Sequence, residues 1–303
     1  MNMDDLKDEI LNLKKKQNAL ILAHNYQIEE IQIVADILGD SLGLAREAAE
    51  IKRSLIVFCG VRFMAEAAKI ISPDKKVLLP SQNAICDMAK MIDVNTLREL
   101  KKTHPDAYVV TYVNSPSEVK AESDVCCTSA NAVEIVKNID SEKIIFTPDK
   151  NLGSYVQRFV DKEIILWDGY CYVHQKITED QVLQTKNQHP DAVVMVHPEC
   201  NPKVIDLADE VQSTGGMLTV VKESSQKDFI IGTEEGLVNR LRREFPEKLF
   251  YSITKPRYCY GMKNITLQDL YTSLKSGKYE ITLSKEIINK ARKSLDRMLS
   301  YVG

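Results

Sequence analysis

Short apolar runs alternate along the chain with segments of helical periodicity, and the alternation occurs three times. The first apolar runs are ALILAH from Ala19, AYVVTYV from Ala107 and AVVMVH from Ala192. Each is followed by a polar loop, a short helix and a further helix, and then by a second apolar run, SLIVFCG, EKIIFTP or KDFIIGT. Apolar runs of this length between helical patterns are typical of buried strands in parallel α/β units.

The three units align with one another without a gap from the first apolar run to the end of the second. Asp36, Asp124 and Asp209 coincide at offsets of 88 and 173 residues. Repetition at a fixed period indicates a repeat architecture. We therefore predict an α/β fold of three similar three-layer domains with parallel sheets around a pseudo-threefold axis. The helical segment 266–303 is expected to pack on the first domain. The predicted domains cover residues 1–90, 91–176 and 177–265.

One cysteine of each unit falls in an equivalent loop. Cys259 lies 173 residues after Cys86, and Cys171 lies three residues before the corresponding position of the second unit. Each is followed by an isoleucine six residues later and then by the expected start of a helix. Because equivalent loops of a threefold repeat meet at its axis, we expect these thiols to converge. The expected helix starts are Asp93, Thr178 and Thr266. The cysteines without equivalents, which we expect in the core, are Cys59, Cys126, Cys127 and Cys200.

Three converging thiols without an evident fourth ligand indicate a metal centre with an open position. Structural zinc sites are usually closed by four protein ligands, whereas thiolates in a reducing compartment suit iron–sulfur chemistry. A 4Fe–4S cluster held by Cys86, Cys171 and Cys259 would leave one iron free to bind a substrate oxygen as a Lewis acid. Two alternatives stay open at this point: a zinc ion bound by the same cysteines and His174, and cysteines that bind no metal.

Polar side chains follow the first strand of each unit, at the end where open parallel sheets bind ligands. They form two rows that are two residues apart and therefore face the same side of the strand. A Ser or Thr stands before the next helix of each unit, where a hydroxyl can cap the helix and the helix N-terminus can hold an anion. We therefore expect a site for a small polyanion. The candidates are His24, Tyr112 and His197 in the first row, Tyr26, Asn114 and Glu199 in the second, Val113 and Pro198 between the rows with only backbone groups to offer, and Ser41, Ser129 and Thr214 before the helices.

Composition and charge exclude several classes of protein. The 303-residue chain has a formal net charge of −3, which argues against a general nucleic-acid-binding face. No apolar run approaches the roughly 18 residues of a membrane span, and the glycine motifs of nucleotide-binding loops are absent. The seven cysteines are odd in number and include no C-x-x-C pair. The N-terminal segment is amphipathic rather than a signal peptide, so the expected location is the reducing cytoplasm.

Several motifs spread along the chain are specific in combination. They include LAHNYQ from Leu22, GDSLGLA from Gly39, YVNSPSEVKAESDV from Tyr112, HPEC from His197 and STGGM from Ser213. In these motifs the chain resembles the quinolinate synthase (NadA) family of NAD biosynthesis, and the resemblance spans almost its whole length. It implies three similar α/β domains with one cluster-ligating cysteine each. It also implies the condensation of iminoaspartate (iminosuccinate) with dihydroxyacetone phosphate to quinolinate, phosphate and water.

The resemblance implies roles for the candidate residues as well. Tyr26, Glu199 and His24 are the expected catalytic residues, with Tyr26 and Glu199 moving protons. The three repeat-related cysteines would bind a 4Fe–4S cluster, and the other candidates would bind substrate. The expected partners are the two small-molecule substrates, with an interaction with the iminoaspartate-producing enzyme left open, and neither nucleic acid nor membrane. The residues alone also allow an iron–sulfur hydro-lyase acting on another hydroxy acid, or a non-catalytic iron–sulfur or zinc sensor.

Overall fold

Three four-stranded sheets form the framework of the chain, as the computed structural model shows for residues 2–301. All the paired strands within the sheets are parallel. From one edge of each sheet to the other, the strands lie in the order second, first, third and fourth along the chain. The predicted fold class, three similar α/β units with parallel sheets, is thereby confirmed. Met1, Val302 and Gly303, which the predicted first domain and the segment 266–303 include, lie outside the described residues.

The strands and helices alternate along the chain in the order that each sheet requires. The first sheet contains β1 (Ala19–His24), β2 (Ile37–Gly39), β3 (Leu55–Cys59) and β4 (Lys76–Leu78). The second contains β5 (Tyr108–Tyr112), β6 (Val125–Cys127), β7 (Lys143–Thr147) and β8 (Glu163–Leu166). The third contains β9 (Val193–Val196), β10 (Glu210–Val211), β11 (Asp228–Gly232) and β12 (Leu249–Ser252).

The helices cover the sheets and connect their parallel strands. They are α1 (Met3–Lys16), α2 (Glu29–Val34), α3 (Ser41–Glu50), α4 (Arg62–Ile71), α5 (Val94–Thr103), α6 (Ser117–Ala121), α7 (Ala132–Asn138), α8 (Lys150–Gln157), α9 (Tyr172–Gln175), α10 (Glu179–Gln188), α11 (Pro202–Ile205), α12 (Thr214–Glu223), α13 (Glu235–Glu244), α14 (Tyr260–Lys263), α15 (Leu267–Ser276) and α16 (Lys285–Ser300). A short 3₁₀ turn covers Met88–Lys90.

The predicted apolar runs form the two central strands of each sheet. Every residue of β1 is buried, because helices cover both faces of the sheet, and this explains why its sequence is a continuous apolar run. The edge strands were not predicted. The edge strands have only two to four residues, and a stretch this short carries no periodic signal.

The aspartate shared by the three units ties the first strand of each sheet to the edge strand beside it. Asp36 Oδ2 accepts the N–H of Ile21 at 2.8 Å, and the N–H of Asp36 donates to the carbonyl of Ile21 at 2.9 Å. The same pair of hydrogen bonds joins Asp124 to Val109 and Asp209 to Val194. The repeated aspartate is therefore a structural element of the repeat.

The helix starts predicted after the cysteine loops are confirmed. Asp93, Thr178 and Thr266 are the N-caps of α5, α10 and α15, and each side chain accepts a backbone N–H of the first turn. In α10 and α15 the third helical residue, Gln181 or Asp269, bonds back to the cap residue and completes a capping box.

The C-terminal helices pack on the first two sheets and their helices. Helix α15 contacts α1 and β3, and α16 contacts α4, α6 and β6. On α16, Ser294 is fully buried, and its hydroxyl lies 3.3 Å from the Cys126 sulfur and donates to the carbonyl of Lys120. Helix α16 therefore joins the first and second units, and the exact domain boundaries stay a prediction. None of the helices in the described part of the chain is long and apolar enough to cross a membrane.

Candidate active site

One cavity lies where the carboxyl ends of the three sheets and the three cysteine loops meet. It encloses about 570 Å³ of space, including its opening to solvent. Most of the predicted site side chains line it, but those of Val113 and Pro198 do not, and Val113 lines a neighbouring apolar cavity instead. The lining residues are His24, Tyr26, Asp40, Ser41, Val61, Phe63, Cys86, Tyr112, Asn114, Ser129, Cys171, Val173, His197, Glu199, Thr214, Cys259 and Met262.

The first row of candidate residues, His24, Tyr112 and His197, lies at the ends of the first strands of the three sheets. His24 and Tyr112 are the last residues of β1 and β5, and His197 directly follows β9. The Nδ1 atom of His24 accepts the N–H of Tyr26 at 3.1 Å, which leaves Nε2 as the uncommitted ring nitrogen. Burial lowers the pKa of His24 to about 4, so the ring is neutral at pH 7 and can donate from Nε2.

The hydroxyl row lies at the helix starts, but its members are not the caps that the sequence predicted. Ser41 and Thr214 are the first residues of α3 and α12, and the caps are Asp40 and Ser213, one position earlier. Ser129 lies in the turn that precedes α7, whose cap position is Asn131. The cap prediction was wrong because a better-placed polar residue precedes the helix, and the correction frees these hydroxyls for other partners.

The starts of α3 and α12 touch across the boundary between the first and third sheets. Asp40 Oδ2 accepts the hydroxyl of Ser213 at 3.0 Å, and a Cβ added at Gly215 would lie 2.6 Å from the same oxygen. The amide Nδ2 of the buried Asn25 donates to Thr214 Oγ1 at 2.8 Å. These contacts fix two helix N-termini, with their partial positive charge, at one side of the cavity.

A buried chain of close polar contacts connects Tyr26 with Glu199; we refer to it as the Tyr26–Glu199 relay. The Tyr26 hydroxyl lies 2.5 Å from Thr233 Oγ1, and Thr233 Oγ1 lies 2.8 Å from His174 Nε2. The Nδ1 atom of His174 lies 2.7 Å from Glu199 Oε2, and that of His197 lies 3.2 Å from the same oxygen. With a neutral His174 protonated on Nδ1, the bonds from Tyr26 to His174 run in one direction, and Nδ1 faces the Glu199 carboxyl at ion-pair distance without hydrogen-bond geometry.

The protonation states along the relay follow from burial and from the neighbouring groups. Burial alone would raise the pKa of the Glu199 carboxyl, but His197 and His174 beside it hold that pKa below its usual range. Burial and then the charge of Glu199 raise the pKa of Tyr26 well above its usual range. Burial also lowers the pKa of His174. The relay therefore joins a protonated phenol to a carboxylate through a neutral imidazole.

Two buried oxygen atoms of the lining residues have no hydrogen-bond partner in the described part of the chain, namely Glu199 Oε1 and Asn114 Oδ1. A buried polar atom without a partner costs free energy, of the order of 1–3 kcal/mol. Since both residues line the cavity, a ligand with donor groups would satisfy these atoms.

The three repeat-related cysteines line the cavity from their loops. Cys171 and Cys259 are the cap residues of α9 and α14, and Cys86 precedes the 3₁₀ turn. Burial raises the pKa of Cys86 to about 12 and that of Cys259 to about 11, and it raises the pKa of Cys171 well above its usual range. The neighbouring thiols add to the shifts at Cys86 and Cys171. A bound cation would therefore be needed for all three to be thiolates together.

The spacing of potential ligands separates a single ion from a larger metal core. Cys171, His174 and Glu199 are the one group in the described chain whose ligand atoms lie within 4.8 Å of one another, and Cys86 and Cys259 are not part of it. Three cysteines on a tetrahedral zinc ion would place their sulfurs about 4 Å apart. Both nitrogens of His174 already face protein partners in the relay. A zinc ion held by the three cysteines and His174 does not fit this arrangement.

Comparison with known proteins identifies the family to which the chain belongs. A family model described as Quinolinate synthetase A protein (NadA) matches residues 8–300. The chain belongs to the NadA family. This match covers nearly the whole chain, so all three sheets and all three cysteine loops fall within it, and the family predicted from the sequence motifs is confirmed.

Several curated relatives in the NadA family are similar to this chain over its full length. The quinolinate synthase of Methanoregula boonei is 50% identical over 301 residues, covering 98% of this chain and 100% of the relative. That of Thermodesulfovibrio yellowstonii is 51% identical and covers 98% of both chains. That of Caldicellulosiruptor bescii is 50% identical and covers 99% of both chains.

Two groups in this NadA protein were missed by reasoning from sequence. Thr233 and His174 complete the relay, yet neither lies in the aligned polar rows. His174 was considered only as a zinc ligand, although its position three residues after Cys171 marks it as part of the same loop. Thr233 directly follows β11, and the strand-end rule applied to the second central strand would have indicated it.

Proposed function

We propose that this protein is a quinolinate synthase, which condenses iminoaspartate with dihydroxyacetone phosphate and releases quinolinate, phosphate and two waters. The observation that carries the proposal is the convergence of three cysteines, two helix N-termini and the Tyr26–Glu199 relay on one cavity. The full-length similarity to proteins named quinolinate synthase supports it.

The residues present suit a 4Fe–4S cluster bound by Cys86, Cys171 and Cys259. All three thiols line the cavity, and they do not all lie within 4.8 Å of one another, which is wider than the roughly 4 Å that a single tetrahedral ion requires. Such a cluster, bound by three cysteines, would supply an open iron that polarises a substrate oxygen as a Lewis acid. The other four cysteines are fully buried and do not line the cavity, namely Cys59, Cys126, Cys127 and Cys200.

The anionic substrates would bind between the polar rows. The helix N-termini at Ser41 and Thr214 offer backbone N–H groups and hydroxyls to carboxylate or phosphate oxygens. Neutral His24 can donate from Nε2, and Asn114 has an unpartnered oxygen for an imine or hydroxyl donor. The further binding residues are Tyr112, Ser129, His197 and Glu199, with Val113 and Pro198 contributing backbone groups.

Tyr26 and Glu199 would carry the proton transfers. Isomerisation of the triose requires a proton to leave carbon and another to reach the carbonyl oxygen, and each loss of water requires a proton to reach the departing hydroxyl. Glu199 is held as a carboxylate and can accept a proton, whereas Tyr26 is held protonated and can donate one. The Tyr26–Glu199 relay offers a path by which the proton taken up at Glu199 can return to Tyr26.

The proposed setting is the reducing cytoplasm. All seven cysteines are free in the structure, and an iron with an open position is vulnerable to oxidants. Because the imine substrate hydrolyses in water, a transient interaction with the enzyme that makes iminoaspartate would favour its transfer. Neither a nucleic acid nor a membrane is among the proposed partners.

Turnover by the anaerobically reconstituted protein tests the proposal. We expect quinolinate and phosphate in equal amounts from iminoaspartate and dihydroxyacetone phosphate. Tyr26→Phe and Glu199→Gln should keep the iron content and lower turnover by about 10²–10⁴-fold, the usual contribution of a general acid or base. Absence of quinolinate from a sample with its full iron and sulfide content would exclude the synthase and favour the hydro-lyase. A function that neither substitution impairs would favour the sensor.

A further inference from the structure

The residue two positions after the end of the third sequential strand of each sheet lies next to the cysteine loop of the same unit. These residues are Val61, Asp149 and Glu234, which coincide at the repeat offsets of 88 and 173. In all three units the next residue donates its N–H to the carbonyl two positions before the cysteine. The pairs are Arg62 with Ala84 at 2.8 Å, Lys150 with Gly169 at 2.9 Å, and Glu235 with Arg257 at 2.8 Å.

Only two units add a side-chain bond to the cysteine itself. Asp149 Oδ2 accepts the N–H of Cys171 at 3.2 Å, and Glu234 Oε1 accepts the N–H of Cys259 at 3.0 Å. The second oxygen of each carboxyl caps the following helix by accepting a backbone N–H, at 2.8 Å and 2.6 Å respectively. The first unit has Val61 at this position, which offers no acceptor to Cys86.

Neither acid has a part in the proposed chemistry, and both are completely buried outside the cavity lining. Burying a carboxyl group is costly unless hydrogen bonds or an ion pair compensate it. Bonds to the cysteine loop and to the following helix satisfy both groups, and Lys263 Nζ lies 2.8 Å from Glu234 Oε1 in addition. The two carboxyl groups also occupy the peptide N–H groups of Cys171 and Cys259. Such N–H groups, when free, can donate to cluster sulfur atoms and raise the reduction potential.

We propose that Asp149 and Glu234 are positioning residues that hold two of the three cysteine ligands in place and keep their peptide N–H groups away from the cluster, whereas Cys86 is held by its loop backbone alone. The inference rests on the proposed cluster. It predicts that the three ligands are unequal although the fold units are similar.

The test compares anaerobically reconstituted variants by two measurements, the rate of iron release to an excess of chelator and the reduction potential of the cluster. We expect Asp149→Ala and Glu234→Ala to release iron about tenfold faster or more, the usual cost of losing a partner of a metal ligand. Asp149→Asn and Glu234→Gln should be intermediate, because an amide offers one acceptor oxygen where the carboxylate offers two. The potential should rise in both Ala variants.

Glu235→Ala is the matched control, because Glu235 is a buried neighbour whose side chain pairs with Arg242 and Ser252 and touches no cysteine. It should match wild type in both measurements. Ala variants that behave like this control would overturn the inference, and so would faster release at an unchanged potential, which would indicate a general loss of stability. A wild-type protein that binds no iron and sulfide would instead refute the proposed function.

Discussion

Replacing Thr233 by Val tests whether the Tyr26–Glu199 relay takes part in the reaction. Thr233 is 2% exposed, and its hydroxyl lies 2.5 Å from the Tyr26 hydroxyl and 2.8 Å from His174 Nε2. Valine has nearly the same shape and no hydroxyl, so the variant removes both bonds while the cavity keeps its lining. The hydroxyl of Tyr26 would then have only His174 Nε2 nearby, at 3.5 Å.

The size of the effect follows from the two lost bonds. Each contributes about 1 kcal/mol, and leaving buried partners unsatisfied adds about 1–3 kcal/mol, for a total of about 3–5 kcal/mol. If these bonds act in the chemical step, kcat falls by about 150- to 5000-fold. The KM values for both substrates should stay near those of wild type, because Thr233 does not line the cavity.

The assay is steady-state formation of quinolinate by samples matched for iron content. Thr233→Ser keeps the hydroxyl and should retain kcat within about threefold of wild type. A Thr233→Val variant with the kcat of the Ser variant would show that the relay is not used. A rise in KM at constant kcat would assign Thr233 to substrate binding instead.

Two further predictions concern the cavity walls. Gly261→Ala should lower both the iron content and the melting temperature, because the added Cβ would clash with the carbonyl oxygen of Ile85, next to Cys86. Gly43→Ala is the control: its added Cβ would lie 3.4 Å from the nearest atom, and neither the iron content nor the melting temperature should change. His24 has a folded pKa of about 4 against 6.5 unfolded, so the unfolded chain binds more protons between these values and stability is lost as the pH falls through them. The wild-type protein should therefore lose about 2 kcal/mol more unfolding free energy between pH 7 and pH 4.5 than His24→Asn does, as measured by urea titration at both pH values. An equal loss in the two proteins would contradict burial as the cause of the lowered pKa of His24.

The repeat made much of the fold predictable from sequence. The central strands, the helix starts at Asp93, Thr178 and Thr266, and the shared location of the three cysteine loops all follow from aligned positions. The edge strands could not be predicted, because strands of two to four residues are fixed by their neighbours in the sheet rather than by their own pattern.

The site was predictable where it repeats and not where it differs between units. The polar rows were found because His24, Tyr112 and His197 align. The relay was not, because Thr233 and His174 belong to different elements of the third and second units and meet only in the folded chain. The caps of α3 and α12 were misplaced by one residue, since sequence alone does not decide which of two adjacent polar residues leaves the helix, and the cap position of α7 lies two residues after Ser129.

Iron and acid-labile sulfide, counted after anaerobic purification, test the central claim most directly. The account predicts about four of each per chain in the wild-type protein. It predicts loss of both in Cys86→Ser, Cys171→Ser and Cys259→Ser, and full retention in Cys59→Ser and Cys200→Ser, whose thiols are buried in the core. One zinc ion without sulfide, or a full complement of iron after replacement of any one of the three cavity cysteines, would contradict it.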